Sequence, residues 1–190
     1  YKGPGTEQVE RTLKAILPNT RVLRLDRDTT QKKDAHERIF QEFRAGKADV
    51  LIGTQMLAKG LDFPKVTLVG ILSADKGLHI PDFRSNETVF SLTTQVAGRA
   101  GRSVLPGHVI IQSFLPDHPV IVKATKGDYL SFYESEVQER KLFDYPPHSR
   151  LAKITFSGKD ATKSEAYARQ FHKQLKNMLE PGFELFSLKP

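Results

Sequence analysis

The hydrophobic positions change period along this chain, and the changes divide it into alternating helical and extended segments. Val9, Leu13 and Leu17 recur every fourth residue, which predicts a helix that opens after a capping Thr6 and stops at Pro18. Val22–Leu25 then reads as a short strand. Ala35, Ile39, Phe40 and Phe43 mark one side of a helix over about residues 31–45, with Gly46 placed to close it in the left-handed conformation. Asp49–Gly53 and Val66–Leu72 read as strands, with a Gly-bounded helical stretch at Thr54–Gly60 between them. A polar, turn-rich loop at Ser73–Ser85 leads into a helix over about Asn86–Ala100, and His108–Phe114 reads as another strand. These strands are almost continuously apolar rather than alternating, the pattern of strands buried on both faces. Strands that alternate with helices lie parallel under a helical cover, so the expectation is an α/β unit with a central parallel sheet.

The texture changes after Leu115-Pro116-Asp117-His118-Pro119, which reads as punctuation. A helix over about Asp128–Leu142 turns Leu130, Tyr133, Val137 and Leu142 toward a core, and Tyr145-Pro146-Pro147 breaks it. Leu151–Phe156 reads as a strand, Ala161–Leu179 as a long helix using Ala168, Phe171, Leu175 and Met178, and Phe183–Leu188 as a last strand. Two domains follow, residues 1–116 and a small α+β domain at 117–190 that needs a neighbour to complete its core, because so few elements bury little by themselves.

Composition narrows the class. The 190 residues, with 38% hydrophobic and 27% charged, suit one or two folded domains. The net charge of +7 favours a polyanionic partner, nucleic acid ahead of an anionic membrane, and most of the excess lies in residues 1–116. There is no cysteine, hence no disulfide framework and no thiolate zinc site. Apolar runs such as Val66–Leu72 fall far short of the roughly 20 residues that span a bilayer, and Tyr1–Gly5 has no apolar signal core, so neither secretion nor membrane insertion is expected. The six histidines are scattered without a His-x-x-x-His pair, and no metal site is expected in this chain.

Two stretches carry candidate chemistry. Gln95-Val96-Ala97-Gly98-Arg99-Ala100-Gly101-Arg102 sets two arginines three residues apart, beside glycines that let a phosphate approach the backbone. A guanidinium fork suits the charge spread over a transferring γ-phosphoryl group, though a Gly-rich basic turn on a solvated face has the same composition. In Ile52–Pro64, directly after a strand, Thr54 stands where hydroxyl and backbone N–H groups could meet a phosphate, and Asp62 could accept from a ribose hydroxyl. A capping Thr and an exposed Asp in an ordinary connection fit those residues too. Phe132, Tyr133 and Phe143 suit either a core or stacking on bases.

The two stretches in this order resemble motifs V and VI of superfamily 2 nucleic-acid helicases. Gly5–Glu10, Asp26-Arg27-Asp28-Thr29-Thr30, Gly53–Gly60, His79–Ser85, Gln95–Arg102 and Tyr145-Pro146-Pro147 together resemble the PriA-type primosomal helicases, also called primosomal protein N-prime. The resemblance runs from Gly5 to about residue 180. It implies a second RecA-like lobe, a parallel sheet flanked by helices, followed by a C-terminal domain. It also implies an ATP-dependent 3′-to-5′ DNA helicase acting in replication fork restart and primosome assembly.

Carried over by motif, the resemblance makes Arg99 and Arg102 the arginines facing the γ-phosphate, with Gln95 sensing it and Gly98 beside them. Gly60 and Asp62 lie toward the nucleotide. Thr54, Asp28, Thr29 and Arg84 lie toward DNA, although Arg84 has a second reading in which it pairs with Asp82 to hold its own loop. The implied partners are forked and single-stranded DNA, other primosome proteins and single-strand-binding protein, for a monomer in the bacterial cytoplasm. No Gly-x-x-x-x-Gly-Lys-Ser/Thr and no Asp-Glu-x-His box occurs, so ATP and magnesium are expected to be held mainly by a first lobe absent from this sequence. The chain alone is expected to be inactive and to be a piece of a longer enzyme whose cysteine-rich module holds zinc. The competing expectation is a non-catalytic nucleic-acid-binding module that keeps the RecA-like fold.

Overall fold

A computed structural model describes residues 5–26, 29, 35–54, 57, 63–98, 100 and 106–186. The chain divides into two compact units between Asp144 and Tyr145.

In the first unit, helix α1 (Thr6–Ile16) buries no residue fully and is capped by Gly5 rather than Thr6. Thr6 lies inside the first turn, where its hydroxyl has another partner. Strand β1 (Val22–Leu25) pairs in parallel with β2 (Val50–Gly53), Val22 opposite Val50 and Leu25 opposite Gly53. Helix α2 (Ala35–Arg44) joins them. Gly46 ends the connection at φ 74°, the left-handed turn expected of it. Ile39 and Phe40 of α2 pack on Leu25, with Leu23, Leu51, Leu57 and Phe63 around them.

The second parallel pair is β3 (Leu68–Ile71) with β4 (His108–Ile111), Leu68 opposite His108 and Ile71 opposite Ile111. A 3₁₀ turn (Ala74–His79) and helix α3 (Ser85–Ala97) lie between these strands in sequence. Helices α4 (Pro119–Lys126) and α5 (Tyr129–Leu142) complete the unit. Val89 and Phe90 of α3, Val120, Ile121 and Ala124 of α4 and Phe132 of α5 form its largest buried cluster. The Phe90 and Phe132 rings stack with centroids 4.1 Å apart and planes 8° apart.

This packing moves the domain division. Because α4 and α5 build their core against α3, the unit ends after α5, at 144, and not at the expected 116. Helix α4 was hidden by Pro119, which occupies the first helical position, where a missing N–H costs nothing; His118 Nδ1 accepts from Val120 N at 3.3 Å. Helix α5 has the expected span but turns another face inward. Phe132 and Glu136 are buried, while Leu130 is 72% exposed and Tyr133 and Leu142 are exposed. Among the described residues the strands form two separate two-stranded sheets rather than one central sheet. Nor are they buried on both faces: Leu68, Val109 and Ile110 are exposed. An unbroken apolar run specifies an extended segment with two apolar faces, not the presence of helices over both.

In the second unit, α6 (Ala161–Met178) is capped by Asp160, whose carboxylate accepts from Lys163 N at 3.1 Å. Ala168 and Leu175 are half-buried, Met178 is exposed, and the Phe156 and Phe171 rings lie 5.6 Å apart. The expected α+β character is not present among the described residues, since neither 151–156 nor 183–186 forms a strand. A strand exists only through a paired neighbour, and each of these segments lacks one there. Residues 187 and 188 lie outside the described residues.

Candidate functional site

Parallel pairing brings the carboxyl ends of β1 and β2 side by side, so the residues leaving Leu25 and Gly53 emerge at one end of the sheet. Gly53 is required there on steric grounds. A Cβ on it would stand 2.9 Å from the Leu25 carbonyl and 2.7 Å from Leu57 Cδ1. Thr54 follows, exposed, with its carbonyl accepting from Leu57 N at 3.0 Å.

Asp26, at the end of β1, is buried and organises its surroundings. Its carboxylate accepts from Thr6 Oγ1 at 2.6 Å and from Thr29 N at 2.9 Å, and pairs with Arg24 Nε at 2.7 Å. Arg24 Nη1 reaches Glu10 of α1 at 3.2 Å. Burial pushes the Asp26 carboxyl up, but the Thr6 and Thr29 hydrogen bonds and the Arg24 charge outweigh it and hold it below the usual carboxylate range. Thr29 returns the favour: its hydroxyl accepts from Asp26 N at 2.9 Å and donates to Asp26 O at 3.1 Å. A hydroxyl has one proton to donate, so in this arrangement Thr29 shapes the turn and has no donor left for a phosphate.

The second strand pair ends in a comparable lock. Ser73, at φ 52°, donates its N–H to Gln112 Oε1 at 2.6 Å. Asp75, only 4% exposed, accepts from Ser113 Oγ and from Phe114 N, both at 2.8 Å, and His79 Nε2 lies 3.9 Å away. Sequence reading left Asp75 without a role. The available signal was a lone carboxylate between Ala74 and Leu78, directly after an apolar strand, where an unpaired charge would be expensive.

Beyond this lock, α3 presents Gln95 to solvent and ends at Gly98, whose N–H reaches Thr94 O at 3.0 Å. Arg84, just before α3, is held by Asp82 through Nε and Nη2, each 3.0 Å from a carboxylate oxygen, so the loop-holding reading is realised. Of the other candidates, Asp28, Gly60, Asp62, Arg99 and Arg102 lie outside the described residues. Phe132 is a core residue and Tyr133 an exposed one. Among the described residues no group of three or more His, Asp or Glu side chains could hold a metal ion, and no helix is long and apolar enough to cross a membrane.

Comparison with known proteins gives these features a context. Residues 4–104 match the helicase conserved C-terminal domain family. The replication restart protein PriA of Chlamydia pneumoniae is 51% identical over 190 residues, all of this chain and 25% of the relative. That of Bacillus subtilis is 52% identical over 176 residues, 93% of this chain and 22% of the relative. That of Treponema pallidum is 44% identical over 185 residues, 97% of this chain and 28% of the relative. The chain thus spans about a quarter of the length of the curated relatives it matches.

Proposed function

The chain belongs to the helicase conserved C-terminal domain family, and from that premise we propose that it is the second RecA-like lobe, with the small unit after it, of an ATP-dependent 3′-to-5′ DNA helicase acting in replication restart. The observation that carries the reading is the span of the family match, 4–104, which takes in the carboxyl ends of β1, β2 and β3 and all of Gln95–Arg102. In the whole enzyme this lobe closes on ATP held by its partner lobe. Arg99 and Arg102 stabilise the charge of the transferring γ-phosphoryl group, Gln95 senses that group from the end of α3, and Gly60, Asp62 and Gly98 border the nucleotide. Thr54, Asp28 and Arg84 line the DNA path, with Thr29 holding the turn after Asp26.

In this proposal a partner lobe holds magnesium and most phosphate contacts, because the Gly-x-x-x-x-Gly-Lys-Ser/Thr and Asp-Glu-x-His motifs do not occur in this sequence, and a cysteine module elsewhere in the longer protein holds zinc. ATP and magnesium supply the phosphoryl chemistry when bound. This chain's part is charge stabilisation and coupling to DNA. Forked and single-stranded DNA, primosome proteins and single-strand-binding protein are the proposed partners, in the bacterial cytoplasm.

An arginine finger contributes ~10³–10⁵ in rate, about 4–7 kcal/mol of barrier. Arg99→Ala and Arg102→Ala in the full-length enzyme are therefore expected to cut DNA-stimulated ATPase turnover at least a hundredfold while leaving DNA binding in place. Turnover within a few fold of wild type would overturn the assignment and favour a lobe that only docks nucleic acid.

A further inference from the structure

The segment joining the 3₁₀ turn to α3 is unusually well held for an exposed tip. Ile80 O accepts from Asp82 N at 2.8 Å and from Ser85 Oγ at 2.6 Å, and Asp82 O accepts from Ser85 N at 3.0 Å. Asp82 takes the Arg84 guanidinium in a two-point fork and also accepts from Arg84 N at 2.9 Å. A guanidinium carries five N–H donors, and this fork uses two, leaving three on a side chain that is 64% exposed. The exposed edge has the charge and shape that match a phosphate.

Behind the tip lies Phe83, and the Phe83 ring meets two cations. Arg84 Cζ is 5.3 Å from its centroid and Arg140 Cζ is 5.1 Å from it. Arg140 comes from α5, a helix with no other part in the site. It is largely buried, pairing with Glu136 at 3.0 Å and with Glu87 of α3 at 2.7 Å, and Glu136 receives Asn86 Nδ2 at 3.4 Å. One guanidinium therefore ties α5, the first turn of α3 and the ring under Arg84 together.

Resting on the nucleic-acid reading above, we propose that Arg140 is a positioning residue: through Phe83 it fixes the 80–84 tip and so aims Arg84 at a backbone phosphate of bound nucleic acid. Lysine at 140 would keep the charge beside Glu136 and Glu87 but lose the planar fork and the flat contact with Phe83. The tip would then loosen without any change in net charge.

The test uses the 190-residue chain and its Arg140→Lys, Arg84→Gln and doubly substituted forms. Binding to a labelled thymidine strand is followed as a function of salt, and the Nε–H signal of Arg84 by ¹⁵N NMR. Arg84→Gln is expected to lower the salt slope by about 0.7, the share of one phosphate on a single strand. Arg140→Lys is expected to lower it equally although no charge is lost, the double variant to lose no more than Arg84→Gln, and the Arg84 Nε–H signal to broaden or exchange faster. A wild-type slope in Arg140→Lys, or losses that multiply in the double variant, would overturn the proposal. If the wild-type chain shows no salt-dependent binding, the nucleic-acid reading fails, and the proposal that rests on it falls with it. Should Arg140→Lys unfold at assay temperature, Phe83→Leu removes the ring, leaves the ion pairs, and is expected to give the same loss of slope.

Discussion

Asp75 is the residue whose removal tests the architecture of the site most directly. Its buried carboxylate accepts two hydrogen bonds at 2.8 Å, one from Ser113 Oγ and one from the backbone of Phe114, and so joins the segment after β3 to the segment after β4. Hydrogen bonds to a charged acceptor contribute about 1.5–3 kcal/mol each, and relief from burying the charge offsets part of that. Asp75→Ala is accordingly expected to cost about 2–4 kcal/mol in urea unfolding at pH 7, since both hydrogen bonds to the carboxylate are lost. Asp75→Asn keeps an acceptor oxygen and should cost about half as much. Acid separates the charge from the geometry. Burial pushes the Asp75 carboxyl up, but Phe114 N–H, Ser113 and His79 together bring it below its ordinary value of 3.8. A carboxyl depressed in the folded state adds stability above its unfolded value and loses it as pH falls through the folded one. The wild-type chain should therefore lose more stability between pH 5 and pH 2 than Asp75→Asn does. An Asp75→Ala cost below about 1 kcal/mol, or parallel acid limbs for wild type and Asp75→Asn, would refute the reasoning.

Three further outcomes are expected. Asp49 at the other end of the first strand pair accepts Arg21 Nη2 at 2.6 Å, and this side-chain hydrogen bond leads the causes that lower its pKa to about 2. An NMR titration should find that midpoint, returning toward 3.8 in Arg21→Gln, so that the pair stabilises above 3.8 and stops doing so as pH falls to about 2. Gly77→Ala would drive a Cβ into Val89 Cγ2 in the core and should destabilise by about 1–3 kcal/mol, with Val89→Ala in the same chain relieving part of the clash in thermal melts. Phe132→Ala removes the partner stacked on Phe90 and should cost about 3–5 kcal/mol by denaturant titration, whereas Tyr133→Ala, on the exposed side of the same helix, should cost well under half of that.

The elements themselves were largely legible. Spacing of three to four residues found α1, α2 and α6, and short apolar runs found all four strands, because period depends only on the chain's own geometry. What failed depended on neighbours. On α5 the hydrophobic residues pointed to the Leu130 face, yet the buried face holds Phe132 and Glu136, since the Arg140 guanidinium neutralises the glutamate and lets it go inside. Leu151–Phe156 has the composition of a strand and no strand to pair with among the described residues. At the site, motif reading picked out Thr54, Gln95 and Arg84, which are exposed, and gave Asp75 no role, because the two donors that define it come from nearly forty residues away.

A motif names residues, but the hydrogen-bond inventory decides what each can still do. Thr29 and Arg84 entered the site on equal terms, as polar residues in loops that resemble nucleic-acid contacts. Thr29 has committed its hydroxyl proton to the Asp26 carbonyl and its N–H to the Asp26 carboxylate, so its contribution is the shape of the turn. Arg84 has also been claimed, by Asp82, but a five-donor group survives a two-point claim with donors to spare and gains a fixed direction from it. Thr29→Val should thus disturb nucleic-acid binding only as far as it loosens the turn, and the loss should be matched by loosening through Thr6→Val, which removes a different bond to the same Asp26 carboxylate. Removing Arg84 should instead subtract a phosphate contact. Arg84→Gln should lower the salt slope by about 0.7, whereas Thr29→Val and Thr6→Val, which act on the Asp26 turn and not on the tip that aims Arg84, should leave the slope unchanged; a loss of slope in Thr29→Val equal to that in Arg84→Gln would show that Thr29 meets a phosphate itself.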